Sequence, residues 1–192
     1  GAGGISLAVA RELELYMKEQ GIRGSFASGG ITGYIVKMME DGLFRALWDV
    51  QCFDLEAVRS YRENRNHMAM SGDLYGNPHN KGAVVDQLDI VILGATEMDR
   101  AFNVNVTTGS TGVIMGGSGG HADTAAGAKL TVIVSKLVSA RIPLIRDRVT
   151  TITTPGETVD VLVTDRGIAV NPNRPELARA MADAGLPVKT IE

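Results

Sequence analysis

The sequence predicts an α/β fold, a mixed, mostly parallel sheet flanked by helices on both faces. Amphipathic helical segments alternate with short apolar runs in the first half of the chain, and β-branched residues are frequent from Leu130 onward. Alternating helices and strands are typical of parallel sheets covered on both sides, and the β-rich tail makes the sheet mixed. The length of 192 residues suits a single domain over residues 1–192.

The first third of the chain has the clearest helical periodicity. Apolar residues repeat every three to four positions after Ile5, and Gly21 follows as a C-terminal stop. A short strand ends in a predicted turn over residues 28–30, and Asp54 is placed to cap a later helix. The predicted elements are a helix over 5–20, a strand over 24–27, a helix over 32–40, a strand over 46–53 and a helix over 54–62.

The rest of the chain alternates irregular and apolar segments. Residues 62–81 are rich in Asn, His, Gly and Met and predict a long loop, a class of segment that is often functional. Residues 88–95 are apolar almost throughout and predict the clearest buried strand. The remaining predictions are strands over 102–106, 129–135, 149–153 and 159–163, a turn at Pro155-Gly156, and a helix capped by Asn173 that stops at Gly185.

Composition excludes several classes of function. The hydrophobic fraction of 44% and the net charge of −3 are ordinary for a globular protein, and no basic stripe predicts binding to nucleic acid. No apolar run approaches the ~20 residues of a membrane span. Cys52 is the only cysteine, so no internal disulfide is possible and a cytoplasmic location is expected. His67 and His79 lack the spacing of a zinc site, so we expect no metal and interpret both as loop residues.

The strongest functional signal is a glycine-rich loop. Gly116, Gly117, Ser118, Gly119 and Gly120 lie between two apolar runs, and we expect buried strands to hold the ends of the loop. With few side chains, the backbone N–H groups can approach a ligand closely and bind an anion, or the oxyanion formed when a carbonyl is attacked. This is not a Walker loop, because no Lys-Ser or Lys-Thr follows at the required spacing.

Two further glycine clusters stand beside predicted helix starts. Gly1, Gly3 and Gly4 open the chain, and Gly29 and Gly30 follow the first predicted strand. A βαβ protein would normally place a strand before such an opening loop, so we expect the chain to be part of a longer polypeptide. Three glycine-rich edges predict an active site built largely from backbone.

Several polar side chains are candidates with two interpretations each. His121 either donates to a substrate carboxylate or oxyanion, or it caps and supports the loop. Glu97 and Asp99 follow a predicted strand at its carboxyl end, where α/β sheets bind ligands, but capping explains them nearly as well. Ser28 is interpreted as a turn serine rather than a nucleophile, because the Gly-x-Ser-x-Gly elbow is absent.

Four motifs occur in an order that resembles one family. They are Gly-Ala-Gly-Gly, Ser-Gly-Gly-Ile-Thr-Gly, Ile-Leu-Gly-Ala-Thr-Glu-Met-Asp and Gly-Ser-Thr-Gly-Val-Ile-Met-Gly-Gly-Ser-Gly-Gly-His-Ala-Asp. The series closely resembles the citrate lyase alpha subunit family, over essentially the whole chain and corresponding to the C-terminal half of that subunit. The broader relationship is to the CoA-transferase superfamily, with the NagB/RpiA/CoA-transferase type of fold, whose α/β domains occur in pairs.

The resemblance implies an acyl-exchange transferase, in which citrate displaces acetate from an acetyl thioester. The implied cofactor is a CoA-like thioester, either the phosphoribosyl-dephospho-CoA group on the acyl carrier protein or acetyl-CoA. The implied partners are the acyl carrier (gamma) subunit, the lyase (beta) subunit and the amino-terminal half of the same subunit. The fragment alone is expected to be inactive, and the choice between citrate and citramalate as acceptor stays open.

The resemblance also implies roles for the candidate residues. Related transferases carry a nucleophilic glutamate in a Ser-Glu-Asn-Gly motif where this chain reads Ala27-Ser28-Gly29-Gly30, so the substrate carboxylate is expected to attack the thioester directly, with backbone donors stabilising the oxyanion. The residues expected at the site are Ser28, Gly29, Gly30, Gly119, Gly120 and His121 for catalysis, Gly1, Gly3, Gly4, Gly116, Gly117 and Ser118 for the thioester, and Asn103, Asn105 and Glu97 for the substrate.

Two other classes of function stay open. A sugar-phosphate isomerase or effector-binding domain of the same general fold would recruit Glu97 or Asp99 as a catalytic carboxylate. A non-catalytic assembly module would keep the glycine loops without exchanging acyl groups.

Overall fold

The computed structural model describes residues 4–139 and 141–191, which fall into two compact units, Gly1–Val84 and Val85–Glu192. The single domain over residues 1–192 stays a prediction. Each unit has its own sheets and its own hydrophobic clusters. The mixed α/β class is confirmed, and most strand pairs in the described residues are parallel, although the strands form several sheets rather than one.

The first unit contains a parallel sheet of three strands. Its elements are α1 (Gly4–Gln20), β1 (Gly24–Ile31), α2 (Gly33–Glu40), β2 (Phe44–Cys52), α3 (Leu55–Glu63), β3 (His67–Ala69) and α4 (Gly72–Gly76). The strand order is β1-β2-β3. Apolar side chains of α2 and α3 pack with residues of β1 and β2, so that Val36, Leu47 and Ala57 are fully buried. The predicted helices over 5–20, 32–40 and 54–62 are confirmed, with Asp54 as the N-cap of α3.

The second unit is richer in short strands. Its elements are a 3₁₀ helix (Val84–Gln87), β4 (Val91–Leu93), β5 (Glu97–Asp99), β6 (Val104–Asn105), α5 (His121–Gly127), β7 (Thr131–Val134), β8 (Val138–Ser139), β9 (Ile142–Pro143), β10 (Ile145–Arg146), a 3₁₀ helix (Gly156–Thr158), β11 (Val161–Thr164), β12 (Gly167–Val170), α6 (Pro175–Asp183) and β13 (Val188–Lys189). The sheets have the orders β13-β12-β11-β7-β4, β10-β5-β6 and β8-β9. The core between them is centred on Met98, Phe102 and Ile133, which are fully buried.

Several predictions of local structure are wrong. The predicted loop over 62–81 contains β3 and α4. The predicted buried strand over 88–95 shortens to β4, and Ile92 stays 38% exposed because β4 is an edge strand with a single neighbour. Residues 149–153 form no strand, since the nearby pairing is one isolated bridge between Val104 and Thr154. The N-cap of α6 is Arg174 rather than Asn173, with Pro175 at the first helical position.

Among the described residues, no helix combines the length and the apolar character needed to cross a membrane.

The side chain of Asp54 joins two helices, which predicts a measurable loss when it is removed. Its Oδ1 accepts from Ala57 N–H at 2.8 Å and its Oδ2 from Gly33 N–H at 2.7 Å, at the starts of α3 and α2. We expect Asp54→Ala to lower the free energy of unfolding by about 1–2 kcal/mol, the range for losing an N-cap. Asp54→Asn is the matched control and should lose less stability, because its one carbonyl oxygen can still cap α3, whereas its NH2 group cannot accept from Gly33 N–H. Equal losses in both variants, measured by urea denaturation, would contradict the capping role.

Candidate active site

Strand β1 contains the segment that the sequence analysis interpreted as a turn. Ser28, Gly29 and Gly30 all lie inside the strand, so the predicted turn is wrong. The pairing with β2 shifts register here, because Gly29 pairs with Asp49 and Gly30 pairs with Gln51. The extra residue of this β-bulge, Val50, lies in β2, opposite the two glycines. A β-bulge bends a strand without reversing it.

The local geometry favours glycine at both positions of this segment. Gly29 has a φ of +113°, a conformation that L side chains rarely adopt. A Cβ on Gly30 would lie 2.0 Å from Cε2 of Phe53. The Oγ of Ser28 is buried and has no hydrogen-bond partner among the described residues. Residues 28–30 of β1 therefore contain backbone and one buried, unpaired hydroxyl, but no carboxylate.

The glycine loop of the second unit is exposed. Residues 116–119 are solvent-exposed, and Gly119 has a φ of +55°. At three of its glycines an added Cβ would meet no atom within 4 Å, namely Gly116, Gly117 and Gly119. Residues 113–115, which precede the loop, are exposed as well, so the expectation that buried strands hold both ends of the loop is wrong. The backbone of this loop is open to a ligand.

Hydrogen bonds at both ends hold the loop. Before the loop, the N–H of Met115 donates to the carbonyl of Thr107 at 2.8 Å. After the loop, Thr124 N–H in α5 donates to the carbonyl of Gly120 at 2.9 Å, and the Thr124 hydroxyl donates to the same oxygen at 2.8 Å. The loop is therefore fixed at its ends and free of packing in between.

His121 follows the loop directly, and both of its ring nitrogens are used inside the unit. Nε2 lies 2.8 Å from the carbonyl oxygen of Gly94, and Nδ1 lies 2.6 Å from Oγ1 of Thr154. A carbonyl oxygen only accepts, so Nε2 carries the proton and Nδ1 accepts from the threonine hydroxyl. Burial lowers the pKa of His121, opposed in part by the bond to the Gly94 carbonyl, so the ring is neutral. In this arrangement His121 supports the loop and has no nitrogen left for a substrate.

Glu97 and Asn105 form a buried network and do not line an open site. Asn105 Nδ2 donates to Glu97 Oε2 at 3.0 Å, and Ser110 Oγ donates to Glu97 Oε1 at 2.5 Å. Both side chains are fully buried. Asn105 Oδ1 accepts from the N–H groups of Thr107 and Thr108, each at 3.0 Å. Their polar atoms therefore bind the protein itself.

Glu97 is held as a carboxylate. Burial raises the pKa of this group, but the hydrogen bonds from Ser110 and Asn105 outweigh that effect and bring its pKa below the ordinary value. Arg146 Nε lies 3.3 Å from Oε1 and adds a charge of opposite sign. The negative charge of Glu97 is therefore paired within the unit.

Asn103 and Asp99 form a second closed network. Asn103 Nδ2 donates to Asp99 Oδ2 at 3.1 Å, and Asn103 Oδ1 accepts from Gly156 N–H at 2.9 Å. Asp99 Oδ1 accepts from the N–H groups of Ala101 and Asn103. The capping interpretation of Asp99 is confirmed by these contacts.

A polar cluster in the first unit was missed by the sequence analysis. His67 is buried in β3 rather than exposed in a loop, with Nε2 at 3.1 Å from Asp49 Oδ2 and Nδ1 at 3.0 Å from Ser60 Oγ. Cys52 Sγ donates to the same oxygen of Asp49 at 2.8 Å. The bulge in β2 brings positions 49 and 52 together, which an even alternation of faces does not predict.

Among the described residues, this cluster is the one group of side chains that could together hold a metal ion. One ligand atom from each of Asp49, Cys52 and His67 lies within 4.8 Å of the others. Burial, with the hydrogen bond to Asp49, raises the pKa of the Cys52 thiol to about 11, so the sulfur is protonated and unreactive near neutral pH. The three side chains satisfy one another by hydrogen bonds.

The structure describes two of the four remaining predicted site residues, Gly4 and Ser118. Gly1 and Gly3 lie outside the described residues. Gly4 is the first described residue of α1, and a Cβ there would meet no atom within 4 Å. Ser118 is exposed, with its Oγ directed to the neighbouring Gly119 carbonyl at 3.4 Å. Residues 28–30 of β1 belong to the first unit, and the glycine loop belongs to the second.

The neutral, buried ring of His121 predicts a pH-dependent contribution to stability. Because its folded pKa lies below the ordinary value of 6.5, the unfolded chain binds a proton here more readily than the folded chain. The contribution is therefore full above pH 6.5 and falls as the pH drops further. We expect His121→Gln to lower the free energy of unfolding by about 1–3 kcal/mol at neutral pH. The difference from wild type should shrink at acidic pH.

Exposed His79 provides the control for this measurement. His79→Gln, measured by the same denaturant titrations, should leave the stability nearly unchanged across the pH range. A difference between wild type and His121→Gln that stays constant from neutral to acidic pH would show that the ring is not held neutral.

Comparison with known proteins supports one family. The family profile described as citrate lyase, alpha subunit (CitF), matches residues 1–192. Citrate lyase alpha chains of Escherichia coli (strain K12) and Klebsiella pneumoniae are 54% and 53% identical over 192 residues, which is 100% of this chain and 38% of each relative. The chain therefore spans well under half the length of these relatives.

Solved structures agree with this grouping. A crystal structure described as the alpha subunit of citrate lyase from Streptococcus mutans, in complex with citrate, is 48% identical with a TM-score of 0.96, covering 100% of this chain and 38% of that chain. RipA from Yersinia pestis is 16% identical with a TM-score of 0.66, covering 96% of this chain and 47% of that chain, and it shows a likeness of fold alone. The chain belongs to the citrate lyase alpha subunit (CitF) family.

Proposed function

We propose that this chain contributes to the acyl-exchange site of a citrate lyase complex. The reaction moves the CoA-like thioester carrier from acetate to citrate, and backbone donors of the 116–120 loop stabilise the oxyanion. The observation that carries the proposal is the loop itself, which is held at both ends, open to solvent and almost free of side chains. The family membership and the citrate-bound S. mutans relative support citrate as the acceptor.

The proposed chemistry balances without a nucleophile from the protein. A carboxylate oxygen of citrate attacks the carbonyl of the acetyl thioester, and the bond from that carbon to sulfur breaks to release a thiolate. The thiolate then attacks the citryl carbonyl of the mixed anhydride. The bond between this carbon and the bridging oxygen breaks, and acetate leaves with one oxygen that came from citrate. Each attack creates an oxyanion, and these are the charges that the protein must stabilise.

The absence of an available carboxylate at residues 28–30 of β1 supports direct attack. Ser28, Gly29 and Gly30 carry none. Asp49 pairs with Gly29 on the neighbouring strand, but it is only 3% exposed and accepts from Gln51 N–H as well as from the cluster described above. A buried carboxylate with its lone pairs occupied is a poor nucleophile, because attack would require breaking those bonds.

The polar residues assigned from sequence take supporting roles in this proposal. His121 positions the end of the loop through Gly94 and Thr154. Asn103, Asn105 and Glu97 stabilise the backbone of the second unit and do not contact citrate in this proposal, since their polar atoms are bound within the unit. The groups that stabilise the oxyanion are then the backbone amides of the 116–120 loop.

The same contacts weigh against a sugar-phosphate isomerase. Such an enzyme needs a carboxylate that is free to take a proton from its substrate. Glu97 is fully buried and its pKa is lowered, and Asp99 accepts four hydrogen bonds from residues of its own unit. Neither side chain is available for that role in the described arrangement.

Exchange of labelled acetate tests the proposal directly. The assay follows labelled acetate released from an acetyl thioester when citrate is supplied, using the natural polypeptide that contains this chain, assembled with its acyl carrier and lyase subunits. Citrate-dependent release is expected. Intact assembly without any release would instead support the non-catalytic assembly module.

A branched side chain on the glycine loop should keep a ligand away from the loop amides. Gly117→Val introduces a branched side chain where nothing lies within 4 Å and no positive φ strains the backbone, so the fold should be kept while ligand approach is blocked. We expect acyl exchange to fall by about 10²-fold or more, the effect of losing one oxyanion donor. Gly72→Val, at another open glycine of ordinary φ, is the matched control and should exchange at the wild-type rate. Normal exchange by a folded Gly117→Val protein would refute the assignment.

Removing the Ser28 hydroxyl distinguishes direct attack from a covalent serine. The Oγ has no hydrogen-bond partner to lose, so Ser28→Ala should fold normally. We expect it to retain substantial exchange activity, measured by the same labelled-acetate assay. Complete loss of exchange in a folded variant, with a serine-linked acyl group detected in wild type by mass spectrometry, would contradict the mechanism.

A further inference from the structure

Two parallel strands of the second unit end side by side at a basic cleft. Strands β5 and β10 pair in parallel, with Asp99 opposite Arg146. Arg100 follows β5 directly, and Asp147 and Arg148 follow β10 directly. The carboxyl ends of parallel strands are the usual place for ligands in α/β sheets, because the chain turns away there and leaves a crevice.

The cleft is lined mainly by arginine. Its volume is about 520 Å³, and the residues that line it are Arg100, Ile145, Arg146, Asp147 and Arg148. Three guanidinium groups thus meet one carboxylate, and that carboxylate, Asp147, is 97% exposed at its side chain. The lining carries a net positive charge and suits an anion.

Two of these arginines differ in how firmly they are held. Arg146 is fixed by the ion pair between its Nε and the buried carboxylate of Glu97, at 3.3 Å, and its side chain is only 33% exposed. Within residues 4–139 and 141–191, Arg148 forms no ion pair or side-chain hydrogen bond. The cleft therefore combines one oriented guanidinium with one whose donors are available.

We propose that this cleft binds the phosphate groups of a phosphate-bearing ligand, of which the CoA-like thioester is the natural source. Identifying that source rests on the proposed function, whereas the binding of phosphate does not. Guanidinium groups bind phosphate through pairs of parallel, charge-assisted hydrogen bonds. The cleft is exposed, which suits phosphate groups that keep their charge and take no part in the reaction. The carbonyl carbon of the thioester differs, because the charge that forms there is transient and has to be stabilised.

The first test measures binding of inorganic diphosphate by isothermal titration calorimetry, with the natural polypeptide that contains this chain. Wild type should bind one diphosphate, and Arg148→Gln should weaken binding about tenfold, the effect of losing one charge-assisted hydrogen bond. Arg179→Gln is the control, because Arg179 is an exposed arginine on α6 of the same unit and outside the cleft. Absence of binding, or equal weakening in both variants, would overturn the proposal. Citrate binding that is tighter than diphosphate binding and also depends on Arg148 would overturn the phosphate assignment.

The second test identifies the source of the phosphate. In the labelled-acetate assay, Arg148→Gln should raise the KM for acetyl-CoA about tenfold and leave unchanged the KM for acetyl-pantetheine, which has no phosphate. Equal effects on both thioesters, or on neither, would overturn the assignment to the thioester. If no thioester is exchanged by any variant while diphosphate binding still depends on Arg148, the proposed function fails and the phosphate site stands.

Discussion

The ring of His121 is the contact on which the glycine loop depends. It joins the start of α5 to the carbonyl at the end of β4 and to the hydroxyl of Thr154, three segments that are distant in sequence. A neutral imidazole can do this with one donor and one acceptor, whereas a protonated ring would lose its acceptor. Because the loop itself has almost no packing, its geometry has to be imposed from its ends.

The same logic explains why so many polar side chains near the strand ends are closed to ligands. These side chains form hydrogen bonds with backbone N–H groups and with one another; they are Glu97, Asp99, Asn103 and Asn105. Buried polar groups are costly unless they are paired, and here their pairing fixes irregular chain that lacks regular secondary structure. A site built from backbone amides needs such rigid support, since amides cannot be repositioned by a side-chain rotamer.

The sequence predicts regular periodic elements well and exceptions to periodicity poorly. Helices α1, α2 and α3 follow from spacing and capping residues, and the N-cap at Asp54 is confirmed. The segment over residues 28–30, which lies in β1 opposite the bulge of β2, was predicted as a turn, because glycine composition alone does not distinguish an irregular strand from a turn. Strand β4 was predicted as buried, because apolar composition does not reveal that a strand lies at a sheet edge.

In the candidate site, too, composition predicted one feature well, whereas contacts between residues remote in sequence were not predicted. The glycine loop is evident from composition, and its open backbone agrees with the role assigned to it. The proposed donor role of His121 was less well founded, since its two partners, Gly94 and Thr154, are remote in sequence. The cluster of Asp49, Cys52 and His67 was missed because it depends on the bulge, and no spacing rule describes three residues brought together by an irregular strand.

The central claim is that the carboxylate of the acceptor, and no group of the protein, attacks the thioester. A single turnover with ¹⁸O-labelled citrate and unlabelled acetyl thioester tests it most directly, with mass spectrometry of the acetate released. Direct attack predicts one ¹⁸O atom in each acetate of that first turnover, because the bridging oxygen of the anhydride leaves with acetate. Unlabelled acetate in the first turnover would show that an enzyme group accepts the acyl chain first, and would contradict the account.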